Sequence, residues 1–178
     1  MRKEQRIKYS DHNFRKYILP ILQLKYSGIW SSTEKLKIDY KNCIDWIYVP
    51  NVGKPVFIAS RVWMSRPFSN HCVRYKKSTD MDAKLEVDIM LDNMRQNRLL
   101  PDYTIESWVY DSHIYIAISE TIKLWTYIKN NLEDIPTIQI KNPVGYTLFK
   151  KIDFAVLDYE PYKITIPDFF SEDESRPL

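Results

Sequence analysis

The stretch KIDYKNCIDWIYVPNVGKPVFIASRVW, residues 37–63, decides how the fold of this chain is predicted. Residues 43–49 (CIDWIYV) and 55–63 (PVFIASRVW) are rich in β-branched and aromatic side chains, which is typical of strands. Residues 50–53 (PNVG) between them have the composition of a turn. We therefore predict a β-hairpin that carries Asp45 on its first strand.

Further elements are predicted on both sides of the hairpin. Residues 11–26 carry apolar side chains at helical spacing, with Pro20 inside, and residues 33–41 fit either a helix or a short strand. The elements that follow are a strand at 70–75, a helix at 79–98 capped by Thr79 or Asp80, a strand at 103–110, a helix at 114–132 and several short strands in the last third. This order predicts the α/β (α+β) class, with a mixed central sheet flanked by helices.

The helix at 114–132 is predicted from apolar residues that recur every three or four positions. They are Ile114, Ile118, Ile122, Trp125, Ile128 and Leu132. We expect one domain, 1–178, with a core at about 11–132, a strand-rich extension at 133–170 and a solvated acidic tail at 171–178.

Composition restricts the classes of function. The 178 residues are 44% apolar and 14% aromatic, which is enough for a hydrophobic core. With three glycines, the chain contains neither a G-x-G-x-x-G motif nor a P-loop. The net charge of +3 is compatible with nucleic-acid binding. No apolar run reaches the length of a membrane span, and no signal peptide is recognised, so we expect a soluble, cytoplasmic protein without a membrane partner.

Cysteine and histidine give no sign of a zinc site. Cys43 and Cys72 are too few for a disulfide framework, and we expect buried free thiols. His12, His71 and His113 are scattered and form no H-E-x-x-H pair. Without a G-x-S-x-G elbow, Ser-His-Asp chemistry has no support from the sequence either.

The line NCIDWIYVPNVGKPVFIASRV, residues 42–62, resembles the active-site hairpin of bacterial and phage members of the PD-(D/E)XK nuclease superfamily. The predicted element order over roughly 11–132 also matches the αβββαβ core of that superfamily. The resemblance implies a restriction-endonuclease-like core and a Mg²⁺-dependent phosphodiesterase, or nuclease, that acts on nucleic acid. For a phage-encoded protein, the location would be the cytoplasm of the bacterial host cell.

The resemblance also implies site residues. Asp45 and Glu34 would be catalytic and would hold Mg²⁺ through carboxylate oxygens, the ligands that this hard cation prefers. Arg61 would be the catalytic cation that grips phosphate, because guanidinium groups bind phosphate in a bidentate way.

The sequence departs from the superfamily pattern at the second strand. The triplet Ala59-Ser60-Arg61 stands where the family has an acid, any residue and lysine, so one metal ligand is missing and the motif is degenerate. Glu34 or Asp39 would supply a carboxylate from the first element. Alternatively Glu106, on the adjacent predicted strand, would take over as a metal ligand, because neighbouring strands lie about 4.8 Å apart.

A plain structural role is the alternative for each of these residues. Asp45 would then be a surface residue or a hydrogen-bonding partner. Arg61 would form a salt bridge with Asp45 or Glu106.

Basic residues with interleaved aromatic residues follow the hairpin, and they are typical of a surface that binds nucleic acid. The predicted nucleic-acid-binding residues are Arg61, Arg66, Arg74, Lys76 and Lys77, and Lys35, Lys37 and Lys41 would widen the patch. The aromatic residues are Trp63, Phe68 and Tyr75, for which a core position is the alternative. A second hypothesis is a non-catalytic phage or mobile-element protein that binds a host or virion protein through an exposed aromatic surface.

Overall fold

The computed structural model describes residues 11–34, 36–77, 85–142, 145–157 and 162–165. Its helices are α1 (Leu19–Lys25), α2 (Lys37–Asn42), α3 (Glu86–Arg95) and α4 (Thr121–Asn131), with a π-helical segment at Phe14–Ile18 and a 3₁₀ turn at Phe154–Leu157. Its strands are β1 (Gly28–Ser32), β2 (Trp46–Pro50), β3 (Val56–Trp63), β4 (Asn70–Lys77), β5 (Tyr103–Tyr110), β6 (His113–Glu120), β7 (Thr137–Asn142), β8 (Gly145–Asp153) and β9 (Tyr162–Thr165). The described residues therefore form a mixed α/β fold, as predicted.

The large sheet has the strand order β1-β2-β3-β5-β6-β9. Its first three strands are antiparallel neighbours, β3 and β5 are parallel, and β5, β6 and β9 are again antiparallel. A parallel pair needs a crossover connection. Here the crossover between β3 and β5 contains β4 and α3. The predicted hairpin of β2 and β3 is confirmed, with Trp46 opposite Ile58.

The small sheet has the order β4-β8-β7, and both of its strand pairs are antiparallel. Residues 70–75 lie on a strand, as predicted, but this strand, β4, pairs with β8 and is not part of the sheet that contains the hairpin. The strand beside the hairpin is β1, which pairs with β2 and which the sequence analysis did not predict. The strand-rich extension after residue 133 thus completes the second sheet with β7 and β8, and it adds β9 to the first.

Alternation along the strands of the large sheet gives it two different faces. One face packs against the π-helical segment and α1 in an apolar cluster formed by Phe14, Ile18, Leu22, Trp46, Ile58, Ile105, Ile114 and Ile116. On the opposite face, a smaller apolar cluster is formed by Trp108, Ala117 and Phe154. Phe154 directly follows β8 of the small sheet. The small sheet shares a further cluster with α3 and α4, formed by Val73, Val87, Met90, Leu91, Leu124, Trp125, Ile128, Ile135 and Ile152.

The predicted helix at 114–132 is wrong in its first part. Residues His113–Glu120 form β6, and α4 begins only at Thr121. A spacing of four residues fits a helix, but it also fits a strand, where every second residue faces the same side. Ile114 and Ile116 are both fully buried, which is the period-two pattern of a strand.

Other element boundaries also differ from the predictions. The chain enters β2 at Trp46, so Asp45 precedes the strand instead of lying on it. Residues 33–41, which fitted a helix or a strand, contain the start of α2. Helix α3 begins at Glu86, and the predicted caps Thr79 and Asp80 lie outside the described residues.

The helix predicted at 11–26 is present, and its helical backbone continues through Pro20, with the helix type changing from π to α just before this residue. A π-helical segment ends at Ile18, and Pro20 lies in the first turn of α1, where its missing N–H is tolerated. Within the described part of the chain, no helix combines the length and the apolar character that crossing a membrane requires.

Candidate functional site

Asp45 lies at the open end of the β2–β3 hairpin and is held by the backbone around it. Its N–H donates to the Ile58 carbonyl at 2.8 Å, and its carbonyl accepts from the Thr33 N–H at 2.9 Å. Its carboxylate Oδ2 accepts the Ser60 N–H at 2.5 Å and lies 3.3 Å from Ser60 Oγ. The Asp45 carboxylate therefore satisfies backbone and hydroxyl donors of β3.

Arg61 projects from β3 toward the start of α3. Its Nη1 donates to the Cys72 carbonyl, and its Nη2 donates to Glu86 Oε2 in a salt bridge. The two side chains are 19% and 24% exposed, so this pair is shielded but still reachable from solvent. The same Glu86 oxygen accepts the backbone N–H of Arg74 at 3.4 Å. Glu86 thus joins β3, β4 and α3.

Glu86 and the two arginines near it, Arg61 and Arg74, influence one another's pKa. Burial would raise the pKa of Glu86, but the Arg61 and Arg74 guanidinium groups outweigh burial and hold that pKa below its ordinary value. Burial would lower the pKa of Arg61, but the Glu86 and Glu106 carboxylates raise it above its ordinary value. We call Arg61, Arg74 and Glu86 the arginine cluster. Its carboxylate is charged at neutral pH.

Arg74 is the exposed member of the arginine cluster. Partial desolvation by neighbouring groups, followed by the positive charge of Arg61, lowers the pKa of this otherwise exposed Arg74, while the Glu86 and Asp45 carboxylates oppose this effect. Two guanidinium groups that repel each other gain free energy from an additional anion. Arg74 thus lies close enough to a second positive charge, that of Arg61, to feel its repulsion.

Glu106 is buried beneath the arginine cluster, on β5, where it is the register partner of Arg61. Its Oε1 accepts the Trp63 Nε1–H at 2.7 Å, and its Oε2 lies 2.7 Å from His71 Nδ1. Both oxygens also lie within 3.4 Å of the Cys72 backbone nitrogen, which donates to them. The carboxylate of Glu106 is therefore occupied by internal donors from β3 and β4.

His71 continues this network to the next strand of the large sheet. Its Nε2 lies 2.6 Å from Ser119 Oγ, so Ser119, His71 and Glu106 are connected in the order of a hydrolytic triad. The three residues are 0%, 1% and 3% exposed, which leaves no path for a substrate to the hydroxyl. We interpret the network as a buried polar bridge between the two sheets.

The carboxylates that the sequence analysis assigned to magnesium do not converge. Glu34 is exposed after β1, Asp45 binds Ser60, and Glu106 binds donors of the interior. Asp39 lies on α2, and its side chain is outside the description. No group of three or more His, Cys, Asp or Glu side chains within the described residues is arranged to hold a metal ion. As arranged, these residues do not fit Mg²⁺, which demands near-octahedral oxygen ligation.

Neither cysteine has the properties of a nucleophile. Cys43 and Cys72 are free thiols, as predicted, although Cys43 is only partly buried. Burial, reinforced by the Glu106 charge, raises the pKa of Cys72 to about 12. Burial and the nearby Glu86 and Asp45 carboxylates raise the pKa of Cys43 as well. Both thiols therefore stay protonated and unreactive near neutral pH.

The other predicted nucleic-acid-binding residues lie in two places. Arg66 is exposed, donates from Nε to the Tyr110 hydroxyl at 3.0 Å and stacks on that ring at 5.5 Å. Lys76 and Lys77 end β4, after Arg74 and Tyr75, and their side chains are outside the description.

The aromatic residues that were predicted to alternate with these basic residues lie mainly in the interior. Trp63 and Phe68 pack against the buried Trp108 and Phe154, which supports the core alternative. Tyr75 packs against the cluster around α3 and α4. Lys41 is exposed on α2, the side chain of Lys37 is outside the description, and Lys35 lies outside the described residues.

Sequence reasoning missed Glu86 and the His71–Ser119 contact. An acidic residue in the first turn of a helix could have pointed to Glu86. Its pairing with Arg61, however, depends on β4 belonging to the second sheet. Comparisons with family models, with curated proteins and with solved structures found no match to this chain.

Proposed function

We propose that this protein binds nucleic acid, and that Arg74, the exposed member of the arginine cluster, contacts the phosphate backbone. The observation that carries the proposal is the exposed Arg74 residue next to the largely shielded Arg61–Glu86 ion pair, whose carboxylate also accepts the Arg74 backbone N–H. The charge of Arg61 disfavours the charge of Arg74, and a phosphate oxygen would relieve that repulsion.

The position of the cluster in the fold supports the proposal. It lies beside a hairpin followed by a crossover helix and a parallel strand, which is the element order that the PD-(D/E)XK resemblance implies. Lys76 and Lys77 continue the same strand beyond Arg74, so the backbone path of β4 carries three basic residues. Phosphate contacts by such residues supply most of the affinity in sequence-independent binding.

Binding without cleavage is the form of this function that the hydrogen bonds favour. Asp45 and Glu106 use their oxygens for internal donors, and Ala59 brings no carboxylate. A Mg²⁺-dependent nuclease on this fold remains the alternative within the same proposal. It requires these acids to exchange their internal donors for a metal ion.

The test is a fluorescence-anisotropy titration of labelled single- and double-stranded DNA and RNA with the wild type, Arg74→Gln and Arg95→Gln. Arg95 is the matched control, because it is an arginine on α3 with a 67% exposed side chain, paired with Asp92. We expect Arg74→Gln to weaken binding about three- to tenfold and to reduce the slope of log K against log salt by about one. Arg95→Gln should leave both the affinity and the salt slope almost unchanged.

Two results would contradict the proposal. Equal affinities of the wild type and Arg74→Gln would remove Arg74 from the interface, and no binding by the wild type would remove nucleic acid as the partner. In parallel, plasmid nicking is measured with EDTA, Mg²⁺ and Mn²⁺. Metal-dependent nicking that is lost in Asp45→Ala would favour the nuclease alternative over binding alone.

A protein partner is the second candidate, and one surface favours it. Ile29 and Val49 are cross-strand partners on β1 and β2, and both are exposed, Ile29 at 67%. Apolar side chains gathered at the edge of a sheet are typical of interaction surfaces. This surface becomes the main candidate when the nucleic-acid titration is negative.

A further inference from the structure

We propose that Glu86 is an internal competitor for the phosphate group and therefore sets the affinity of the arginine cluster for nucleic acid. This inference rests on the proposed function and concerns the regulation of the same site. The carboxylate of Glu86 is ion-paired with the guanidinium of Arg61, and its Oε2 also accepts the backbone N–H of Arg74. A carboxylate and a phosphate present the same kind of charged oxygen acceptor to a guanidinium group.

The position of Glu86 makes the competition direct. It is the first residue of α3, and helix N-termini favour negative charge because of the unsatisfied N–H groups there. Because Glu86 Oε2 already accepts from Arg61 Nη2, an anion can bind that nitrogen only in place of the carboxylate. The bound anion and the charged Glu86 repel each other, so phosphate contact with Arg61 requires Glu86 to turn away.

Access to the pair is compatible with such an exchange. The Arg61 and Glu86 side chains keep 19% and 24% of their surface exposed, so neither is sealed in the interior. Arg61 keeps its second hydrogen bond, from Nη1 to the Cys72 carbonyl, when Glu86 is removed. The guanidinium therefore stays oriented and becomes available to an external oxygen.

The experiment compares Glu86→Gln with Asp92→Asn in the anisotropy titration with labelled DNA and RNA. Asp92 is the charge-matched control, because it is an acid on the same helix with a similar exposed fraction, 29%, paired with Arg95. We expect Glu86→Gln to bind about tenfold tighter than the wild type, with a salt slope steeper by about one, because Arg61 then also contacts phosphate. Asp92→Asn should gain less than twofold.

The double variant Arg61→Gln/Glu86→Gln separates this mechanism from a general change in net charge. If Glu86 competes with phosphate for Arg61, most of the gain is lost when Arg61 is removed as well. A full gain without Arg61, or an equal gain in Asp92→Asn, would overturn the inference.

Circular dichroism of each variant verifies folding before the titrations. Should Glu86→Gln fail to fold, Glu86→Asp replaces it, since the shorter carboxylate withdraws from Arg61 and should give an affinity gain of a few fold. No gain in that folded variant would overturn the inference too. The proposed function and this inference fail separately: the first fails when Arg74→Gln has no effect, and the second fails when Arg74→Gln weakens binding but Glu86→Gln does not strengthen it.

Discussion

At the residue scale, two glutamates that both lie near Arg61 have different roles. Glu86 is partly exposed and paired with Arg61, whereas Glu106 is buried and satisfies donors from two other strands. An internal carboxylate is tolerated only when its oxygens are hydrogen-bonded. Because Glu86 is partly exposed, its side chain can exchange partners, whereas the buried Glu106 has a structural role.

The fixed role of Glu106 gives a stability prediction. Glu106→Ala leaves the Trp63 Nε1–H, the His71 ring and the Cys72 N–H without their acceptor. We expect the free energy of unfolding to fall by about 3–5 kcal/mol, as is typical when one partner of a buried polar network is removed. Urea unfolding followed by far-UV circular dichroism measures the loss.

Glu120→Ala is the control for this prediction, because Glu120 forms a more exposed ion pair with Lys123. Its effect should stay below about 0.5 kcal/mol. A similar small effect for both variants would mean that Glu106 is not the acceptor that the buried donors need.

At the element scale, the β5–β6 hairpin shows how a strand was mistaken for a helix. Its two-residue tip, Asp111 and Ser112, has φ values of 50° and 55°, which is the left-handed conformation of a type I′ turn. Neither residue is glycine, so the sequence lacks the Asp-Gly signal that marks such hairpins. The turn formed because β6 is paired on both sides, with β5 and with β9.

The left-handed tip predicts a stabilising substitution. Ser112→Gly should raise the free energy of unfolding by about 0.5–1 kcal/mol, because glycine adopts positive φ without a steric cost. Thermal and urea unfolding of the variant measure the gain. Ser112→Ala is the control, since alanine keeps the Cβ, and it should give no increase. An equal increase in the free energy of unfolding for Ser112→Ala and Ser112→Gly would contradict the conformational explanation.

At the scale of the whole molecule, the two sheets are joined by polar and apolar contacts. The Arg61–Glu86 and His71–Glu106 pairs both connect the large sheet with β4 or α3, and Phe154 at the end of β8 packs on Trp108 of β5. The chain also returns from the small sheet to the large one through β9. These links couple the stability of the two sheets.

We therefore expect one cooperative unfolding transition. Tryptophans lie in all three apolar clusters, with Trp46, Trp108 and Trp125 in one cluster each, so their fluorescence reports on the whole fold. Urea transitions measured by tryptophan fluorescence and by far-UV circular dichroism should coincide, which is the two-state criterion. Two separated midpoints would show that the sheets unfold independently and that the bridging contacts contribute little.

The sequence by itself determined the features that depend on local patterns. The β2–β3 hairpin, the helical character of the first element, the strand β5 and the mixed α/β class all follow from propensity, turn residues and periodicity within a few neighbouring residues. The placement of the strand of Glu106 beside the strand of Arg61 was also predicted, but the register that puts these two residues opposite each other is seen only in the structure.

Only the tertiary structure decided the separation of β4 into a second sheet, the strand character of β6 and the partners of each charged residue. Arg61 and Glu86 are 25 residues apart in the chain, and His71 and Ser119 are 48 apart. No local pattern encodes such pairs, because they form only when the crossover and both sheets are in place. A buried charge then takes whichever partner the packing brings within hydrogen-bonding distance, since leaving it unpaired costs several kcal/mol, roughly 3–5, at such sites.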